Sequence, residues 1–195
     1  MRLVLSDFIS LDGVVQAPGG EREDLDGGFR HGGWSMPYFD AEAMGPVLDE
    51  TFATAGALVF GRRTYDILAD AWPRQTGDPF ADTVNAIPKY VVSRTLTDAD
   101  ITWPNTTLLP GDRASAEVRR MKGDPGGDIV VLGSAALARH LVADGLVDEY
   151  RLMIEPILLG GGKRLFPDDT WARPLELVSV TTAGTGVLIC TYRPN

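Results

Sequence analysis

The sequence is short of sulfur and of positive charge. Cys190 is the only cysteine in 195 residues, so an intrachain disulfide is impossible and a metal site built from several thiolates is excluded. We therefore expect a reducing, cytoplasmic location. Lysine and arginine number 18 against 27 aspartate and glutamate residues, and the resulting negative field repels a phosphate backbone. We expect no nucleic-acid partner, and an anionic ligand needs a local group of arginines and backbone N–H groups.

Long apolar runs are also missing. No stretch approaches the roughly 20 apolar residues of a membrane-spanning helix, and the apolar run after Met1 is too short for a secretion signal. We expect neither membrane insertion nor export by a visible signal. Hydrophobic residues make up 44% of the chain, as in an ordinary globular protein, and we assign residues 1–195 to a single domain.

Predicted strands and helices alternate along most of the chain. Apolar, β-branched segments predict strands at residues 2–9, 57–60, 89–93, 129–132, 149–155, 175–182 and 187–193. Helical patterns occur at residues 40–55, 64–71, 114–121 and 135–144, and Gly45-Pro46 predicts a kink or restart in the first. This alternation indicates an α/β fold with a mixed, mostly parallel sheet and helices on its faces. The last three strands, which no helix separates, indicate an antiparallel C-terminal edge.

A long loop follows the first strand. Residues 14–37 are rich in glycine and charge and carry no clear helix or strand pattern. Loops of this length inside compact domains are usually functional or disordered. We interpret this one as a lid over a site.

Three predicted strands end in residues suited to phosphate. The segments are Gly61-Arg62-Arg63-Thr64, Ser93-Arg94-Thr95 and Gly133-Ser134-Ala135. Parallel strands place their carboxyl ends and the following helix N-termini along one crevice, so a single dinucleotide could contact all three. Each glycine could also be only a turn residue. Neither G-x-G-x-x-G nor a Walker P-loop occurs, so a standard Rossmann domain and a P-loop nucleotide site are excluded.

Short motifs at these places carry a family resemblance. In order they are SLDG (10–13), GRRTYD (61–66), VVSRTL (91–96), GS (133–134), LVDE (146–149) and PILLGGG (156–162). Their order and spacing resemble dihydrofolate-reductase-like proteins, in particular the branch that contains the reductase domain of riboflavin biosynthesis. The resemblance implies a three-layer α/β fold, a homodimer and no metal or flavin. It also implies an NADPH-dependent reductase acting on a C=N or similar bond of a pteridine- or aminopyrimidine-like heterocycle.

The resemblance also implies which residues bind NADPH. The segment from Gly61 to Thr64 would meet the phosphates, Ser93 and Arg94 would lie beside the adenosine 2′-phosphate, and the segment from Gly133 to Ala136 would lie under the pyrophosphate. The complete predicted set is Gly61, Arg62, Arg63, Thr64, Ser93, Arg94, Gly133, Ser134, Ala135 and Ala136.

Other residues of the sequence do not identify the substrate. Riboflavin-pathway reductases carry an acidic residue where this chain has Leu132 and a lysine where it has Ser6, so reduction of 5-amino-6-(5-phosphoribosylamino)uracil is not assured. The single cysteine excludes their zinc deaminase partner domain. A true dihydrofolate reductase would need a carboxylate on the first helix, for which Asp40, Glu42, Asp49 and Glu50 are available. A non-catalytic NADPH-binding sensor is a further alternative.

Two carboxylates are candidates for proton delivery. Hydride transfer to a C=N bond requires a proton at nitrogen, which a partly desolvated carboxyl group can supply. Glu155 ends an apolar strand just before Pro156, and we name it first, although a solvated structural glutamate is equally consistent with the sequence. Asp12 is the second candidate, with a structural Asp-Gly turn as its alternative role.

Overall fold

The computed structural model describes residues 1–75 and 77–195, which form an eight-stranded sheet and five α-helices. The strands are β1 (Leu3–Ser10), β2 (Ala55–Gly61), β3 (Lys89–Ser93), β4 (Thr106–Pro110), β5 (Asp128–Val131), β6 (Glu149–Glu155), β7 (Leu175–Thr182) and β8 (Leu188–Pro194). The helices are α1 (Ala41–Ala53), α2 (Arg62–Ala71), α3 (Pro79–Ala86), α4 (Ala114–Lys122) and α5 (Ala135–Ala143). Short 3-10 turns cover Asp26–Gly28, Met36–Tyr38, Trp72–Arg74 and Asp98–Asp100.

The sheet is mixed and mostly parallel, as the sequence predicted. Its strand order is β4-β3-β2-β5-β1-β6-β8-β7. The pairs from β4 to β6 are all parallel, whereas β6 with β8 and β8 with β7 are antiparallel. The chain therefore builds the parallel part through helical crossovers and finishes with an antiparallel C-terminal edge.

Both faces of the parallel part are covered by helices. Successive side chains of a strand point to opposite faces, and β2 shows this directly. Val59 packs in one core cluster with residues of α4 and α5, while Leu58 and Phe60 pack in another with Phe52 of α1 and Val84 of α3. The three-layer prediction is confirmed. Among the described residues, no helix is both long and apolar enough to cross a membrane.

Helix α1 runs through Gly45-Pro46 as one element, so the predicted restart is wrong. Asp40 caps the helix as expected, because its Oδ1 accepts hydrogen bonds from the backbone N–H groups of Glu42 and Ala43. Proline at position 46 removes only the N–H that would bond to the carbonyl of Glu42. Glu42 lies in the exposed first turn, where water can satisfy that carbonyl.

Two elements between β2 and α4 were not predicted. Helix α3 has only eight residues, and Asp78 caps it by accepting from the N–H of Phe80 at 2.8 Å. Strand β4 is a five-residue edge strand that ends in Pro110, a residue tolerated at sheet edges. Both are too short to show a periodic pattern.

A buried lysine ties α3 to the sheet. The side chain of Lys89 in β3 is fully buried, and its Nζ donates to the carbonyls of Val84, Asn85 and Ile87 at the end of α3. Nζ also lies 4.7 Å from the ring centre of Trp103. Burial lowers the pKa of Lys89 to about 8. This lysine replaces a helix C-cap and has a structural role.

Candidate active site

A cavity opens where two parallel strands separate. Strand β5 pairs with β1 only as far as Leu5 opposite Val131, whereas β6 continues beside β1 to Ser10 opposite Glu155. The chain leaves β5 through Gly133 and enters α5, so the end of β1 has no neighbour on that side. A cavity of about 780 Å³ occupies this carboxyl-terminal edge, which is where open α/β sheets bind ligands.

Two glycine turns meet at the mouth of the cavity. A Cβ on Gly61 would overlap the Ser134 hydroxyl, and a Cβ on Gly133 would lie 2.9 Å from Thr64 Oγ1. Gly133 also has a φ of +52°, in the left-handed region that favours glycine. The sequence therefore brings the start of α2 against the start of α5 by omitting side chains at both turns.

The N-terminus of α5 lines the same mouth. Gly133, Ser134, Ala135 and Ala136 all belong to the cavity lining, and the Ser134 side chain does not cap the helix. The first N–H groups of a helix lack partners within it and carry partial positive charge. This end of the cavity can therefore bind an anion such as phosphate.

Three cations line the cavity, and two of them are already paired. Arg63 Nη1 lies 2.6 Å from Asp24 Oδ1, Lys163 Nζ lies 2.6 Å from Asp24 Oδ2, and both cations also contact Asp26. Arg139, on the first turns of α5, is exposed and forms no ion pair with the described part of the chain. Of the three, Arg139 is the side chain that can bind an anion without breaking an existing pair.

Asp7, which the sequence analysis missed, brings a carboxyl group into the cavity. It lies on β1, and its Oδ2 is buried without a hydrogen-bond partner among the described residues. Burial raises the pKa of Asp7 to about 8, against a hydrogen bond from the Gly133 backbone that acts in the opposite direction, and the nearby charge of Glu23 adds to the rise. At neutral pH this carboxyl group is therefore mostly protonated and can donate a proton.

Glu155 is also buried and reaches the cavity through one hydroxyl. Ser35 Oγ donates to Glu155 Oε1 at 2.5 Å, and Ser35 lines the cavity while Glu155 does not. Glu155 is completely buried, and its Oε2 has no partner among the described residues. Burial raises the pKa of Glu155 to about 7, and the Ser35 hydrogen bond acts in the opposite direction. Glu155 therefore acts on the cavity only through the hydroxyl group of Ser35.

The inner end of the cavity is apolar and aromatic. It extends between α1, α2, α3 and the face of the sheet that these helices cover. Its aromatic side chains are Phe52, Phe60, Trp72, Phe80 and Trp103. Helix α1 contributes Leu48 and Phe52, one turn apart, so its cavity-facing side carries no acid.

None of the four α1 carboxylates considered for a folate site lines the cavity. Asp40 caps the helix and accepts from the N–H of Gly184 with its other oxygen. Glu42, Asp49 and Glu50 are exposed. The arrangement lacks the helix carboxylate that a dihydrofolate reductase of the predicted kind would need.

The lid predicted at residues 14–37 packs over this cavity. Val14, Phe29 and Trp34 are buried in a small cluster of their own, and Trp34 Nε1 donates to the carbonyl of Gln16 at 2.7 Å. Residues 15–19 of this loop contribute to the cavity lining. The loop therefore forms one wall of the site.

The remaining predicted cofactor residues lie outside the lining. Arg62 is exposed and pairs with Asp66 at 3.0 Å on the same helix. Ser93 Oγ accepts from the N–H groups of Thr95 and Leu96, which shapes the turn after β3. Arg94 is exposed at that turn. Since β3 is two strands from β5, these residues lie along the same sheet edge as the cavity mouth, and their contact with a nucleotide stays a prediction.

Asp12 joins two loops. Its Oδ1 accepts from Ser10 Oγ at 2.7 Å and from the N–H of Leu159 at 3.1 Å, and its Oδ2 accepts from the N–H of Gly160 at 2.9 Å. Burial acts to raise the pKa of Asp12, but these hydrogen bonds hold it below its ordinary value. Asp12 does not belong to the cavity lining, and its contacts explain it as an ionised loop anchor.

Two of the missed site residues left a signal in the sequence. Asp7 is a charged residue inside the apolar run of the first strand, which is unusual unless it has a function. Arg139 follows Ala135 and Ala136 by one helical turn, so helical periodicity would have placed it on their face. Ser35 left no signal, because its contact with Glu155 spans 120 positions of the chain.

The strand order and the two helical layers are those of a dihydrofolate-reductase-like α/β fold. A dihydrofolate reductase from Enterococcus faecalis, solved in complex with NADP(H) and RAB-propyl, matches with a TM-score of 0.60 and 14% identity over 100% of this chain and 96% of that one. A Shewanella sp. PV-4 protein provisionally assigned to riboflavin biosynthesis matches with a TM-score of 0.71 and 19% identity, over 100% and 99% of the two chains.

Comparison of the sequence with known proteins assigns the chain to one family within this fold. Residues 2–189 match the sequence model of the RibD C-terminal domain, and the chain belongs to that family. YyaP of Bacillus subtilis strain 168, an uncharacterized protein, is 30% identical over 201 residues, which cover 100% of this chain and 95% of YyaP. The predicted family is confirmed.

Proposed function

We propose that this chain is an NADPH-dependent reductase that transfers a hydride to a C=N or similar double bond of a small heterocycle. The observation that carries the proposal is one cavity that combines a helix N-terminus, the buried carboxyl group of Asp7 and Arg139, which forms no ion pair with the described residues. The membership of the RibD C-terminal domain family agrees with this reading.

The mouth of the cavity fits the phosphates of a dinucleotide. The N–H groups at the start of α5 and the guanidinium of Arg139 provide positive charge in a chain that is otherwise acidic. Arg63 would contribute only if its pairs with Asp24 and Asp26 opened. In this proposal Ser93 and Arg94 bind the 2′-phosphate further along the sheet edge.

Asp7 is the best candidate for the proton donor. When bound, NADPH would supply a hydride to the carbon of the C=N bond, and the nitrogen, which would take the electron pair of that bond, would need a proton from this chain. Asp7 holds such a proton at neutral pH because burial has raised its pKa to about 8. After donating it, Asp7 regains a proton from solvent, so each turnover consumes one NADPH, one proton and one double bond.

Glu155 supports the site in this account. Ser35 lies between its carboxyl group and the cavity, so Glu155 orients the Ser35 hydroxyl and contacts no substrate itself. Asp12 has no proton to give, since its pKa lies below the ordinary value and its oxygens hold two loops.

The test is a binding and turnover assay with purified protein. NADPH binding is measured by calorimetry, and NADPH oxidation is followed by absorbance with dihydrofolate, aminopyrimidine ribosides and uncharged bicyclic heteroaromatics. We expect saturable NADPH binding and oxidation with at least one member of the panel. Absence of NADPH binding would contradict the proposal, and binding without oxidation across the panel would favour a cofactor sensor.

A further inference from the structure

We infer that the inner end of the cavity takes an uncharged, largely apolar, flat ring compound that carries neither phosphate nor carboxylate. The inference deepens the proposed reductase function and rests on it for the role of this ligand as substrate. It depends on three observations: the side chains of the inner wall, the positions of the cations, and the polar side chain that borders the wall.

The inner wall is built from apolar side chains of three helices and the sheet. Leu48 and Phe52 come from α1, Ile67 and Leu68 from α2, and Phe80 from α3. The wall also contains Leu58, Phe60, Trp72, Val84, Trp103, Leu132 and Met153. The half-buried members, among them Leu48, Ile67 and Phe80, lie over a fully buried floor that includes Phe60 and Trp103. Half-buried apolar and aromatic surface of this kind favours ligands with a flat apolar face, because both surfaces leave water on binding.

The floor of the inner end is rigid. Trp103 is only 1% exposed, stacks on Phe60 with ring centres 5.8 Å apart, and donates its indole N–H to Asn85 Oδ1 at 2.7 Å. Because these partners fix the indole, the floor keeps its shape when a ligand enters. A planar ring fits such a surface better than a flexible chain does.

The cations of the cavity are poorly placed to pair with an anion on the inner wall. Arg139 is on α5, which packs against the opposite face of the sheet from α1 and α3. Arg63 lies one helical turn before Ile67 on α2, but Asp24 and Asp26 already pair with it and with Lys163. An anionic group on the inner wall would lose its hydration and would have to open these ion pairs to find an opposite charge.

One polar side chain of β1 borders the inner wall and suits an uncharged polar atom. Ser6 and Asp7 are adjacent and both line the cavity, but their side chains point to opposite faces, and Ser6 shares the face of Phe8, which packs against the cluster of Met44 in α1. The Ser6 hydroxyl can donate to a ring nitrogen or a carbonyl oxygen. Such an arrangement orients a reducible C=N or C=O bond at the wall's border while the rest of the ring lies among aromatic side chains.

A matched pair of probes tests this inference. Quinoxaline is an uncharged bicyclic ring with C=N bonds, and quinoxaline-2-carboxylate is the same ring with an anionic group. Calorimetric titrations of the wild-type protein, with and without NADP⁺, compare their affinities. We expect quinoxaline to bind at least ~10-fold tighter. Equal affinity, tighter binding of the carboxylate, or no binding of either probe would overturn the inference.

A variant that adds a cation sharpens the test. Leu48→Arg places a guanidinium on the inner wall and should raise the relative affinity for the carboxylate by ~10-fold or more. Asp49→Arg is the matched control, because it adds the same side chain to the exposed side of the same helix. An equal response of the two variants would contradict the proposed position of the ligand. If Leu48→Arg fails to fold, the same comparison is made with Ile67→Arg.

The same samples separate this inference from the proposed function. Quinoxaline binding with NADPH oxidation supports both. Quinoxaline binding without oxidation of NADPH by any uncharged ring supports the ligand class and contradicts the reductase activity. Oxidation of NADPH only by phosphorylated or carboxylated substrates supports the reductase and overturns the ligand class.

Discussion

The two ends of the cavity differ in the forces they offer a ligand. The mouth has a helix N-terminus, Arg139 and the carboxyl group of Asp7, while the inner end has aromatic and aliphatic side chains without charge. Charge and hydrogen bonds act at the mouth, and burial of apolar surface acts at the inner end. Substitutions at the two ends should therefore separate cofactor affinity, catalytic rate and substrate affinity.

The largest expected effect is on the rate of the Asp7→Asn variant. Asparagine keeps the size of the side chain but cannot give the proton, so kcat should fall by roughly 10²–10⁴-fold while the Kd for NADPH changes little. Steady-state kinetics and calorimetry measure the two quantities. Glu155→Gln is the matched control and should cost less, because Ser35 separates Glu155 from the cavity. A greater loss of kcat for Glu155→Gln than for Asp7→Asn would make Glu155, and not Asp7, the proton donor.

A smaller effect is expected at Arg94. Hydrogen bonds to charged groups contribute about 1.5–3 kcal/mol, so Arg94→Ala should weaken NADPH binding roughly 10- to 150-fold and leave NADH binding nearly unchanged. Added salt should reduce the difference. Arg120→Ala serves as control, since Arg120 pairs with Glu117 and Asp124 at the far end of α4. Equal changes for both cofactors would remove Arg94 from the 2′-phosphate site.

At the inner end, Ile67→Ala should affect substrate affinity and spare the cofactor. Ile67 lines the cavity on α2, and losing its apolar contact should raise KM by about 10-fold with kcat little changed. Kinetics with the best substrate of the panel test this. A change in NADPH affinity as large as the change in KM would mean that the two ends do not act separately.

The pH dependence of stability tests the environment of Asp7 independently of any ligand. Its pKa is about 8 in the folded protein against an ordinary value of 3.8. Between these values the unfolded chain ionises while the folded chain keeps the proton, so stability falls as pH rises by up to about 1.4 kcal/mol per pH unit. Below the lower value both states are neutral and the cost disappears.

Asparagine at this position does not titrate. Denaturant unfolding from pH 4 to pH 8 should show Asp7→Asn gaining stability relative to the wild type as pH rises. A difference between the two proteins that stays constant with pH would place Asp7 in contact with water.

Local sequence patterns predicted the frame of the molecule. Apolar runs and turn residues are local signals, and they gave the parallel sheet, the antiparallel edge and the glycine turns at Gly61 and Gly133. The structure brings those two turns into contact. The short elements α3 and β4 escaped because eight and five residues do not establish a period.

Which carboxyl groups reach the site depends on how strands that are distant in the sequence pair with one another. Asp7 faces the cavity because β5 stops pairing with β1 at Leu5, and no local pattern contains that fact. Glu155 was a candidate proton donor with a structural role as its alternative, and the structure places Ser35, distant in the chain, between it and the cavity. The residue types at strand ends can be read from a sequence. The neighbours that change the pKa of a carboxyl group are distant in the chain and are known only from the folded structure.

The central claim, that the α5 N-terminus binds the phosphates of NADPH, is tested most directly at Ala136. This residue is exposed, lies in the first turn of α5 and lines the cavity. Ala136→Glu should keep or improve helix stability, because a negative charge suits a helix N-terminus, but it would repel a bound phosphate. Ala136→Gln adds the same bulk without charge. Calorimetric titration at low salt should give a Kd for NADPH at least ~10-fold weaker for glutamate than for glutamine, with the gap closing as salt rises. Equal affinities of the two folded variants would contradict the account.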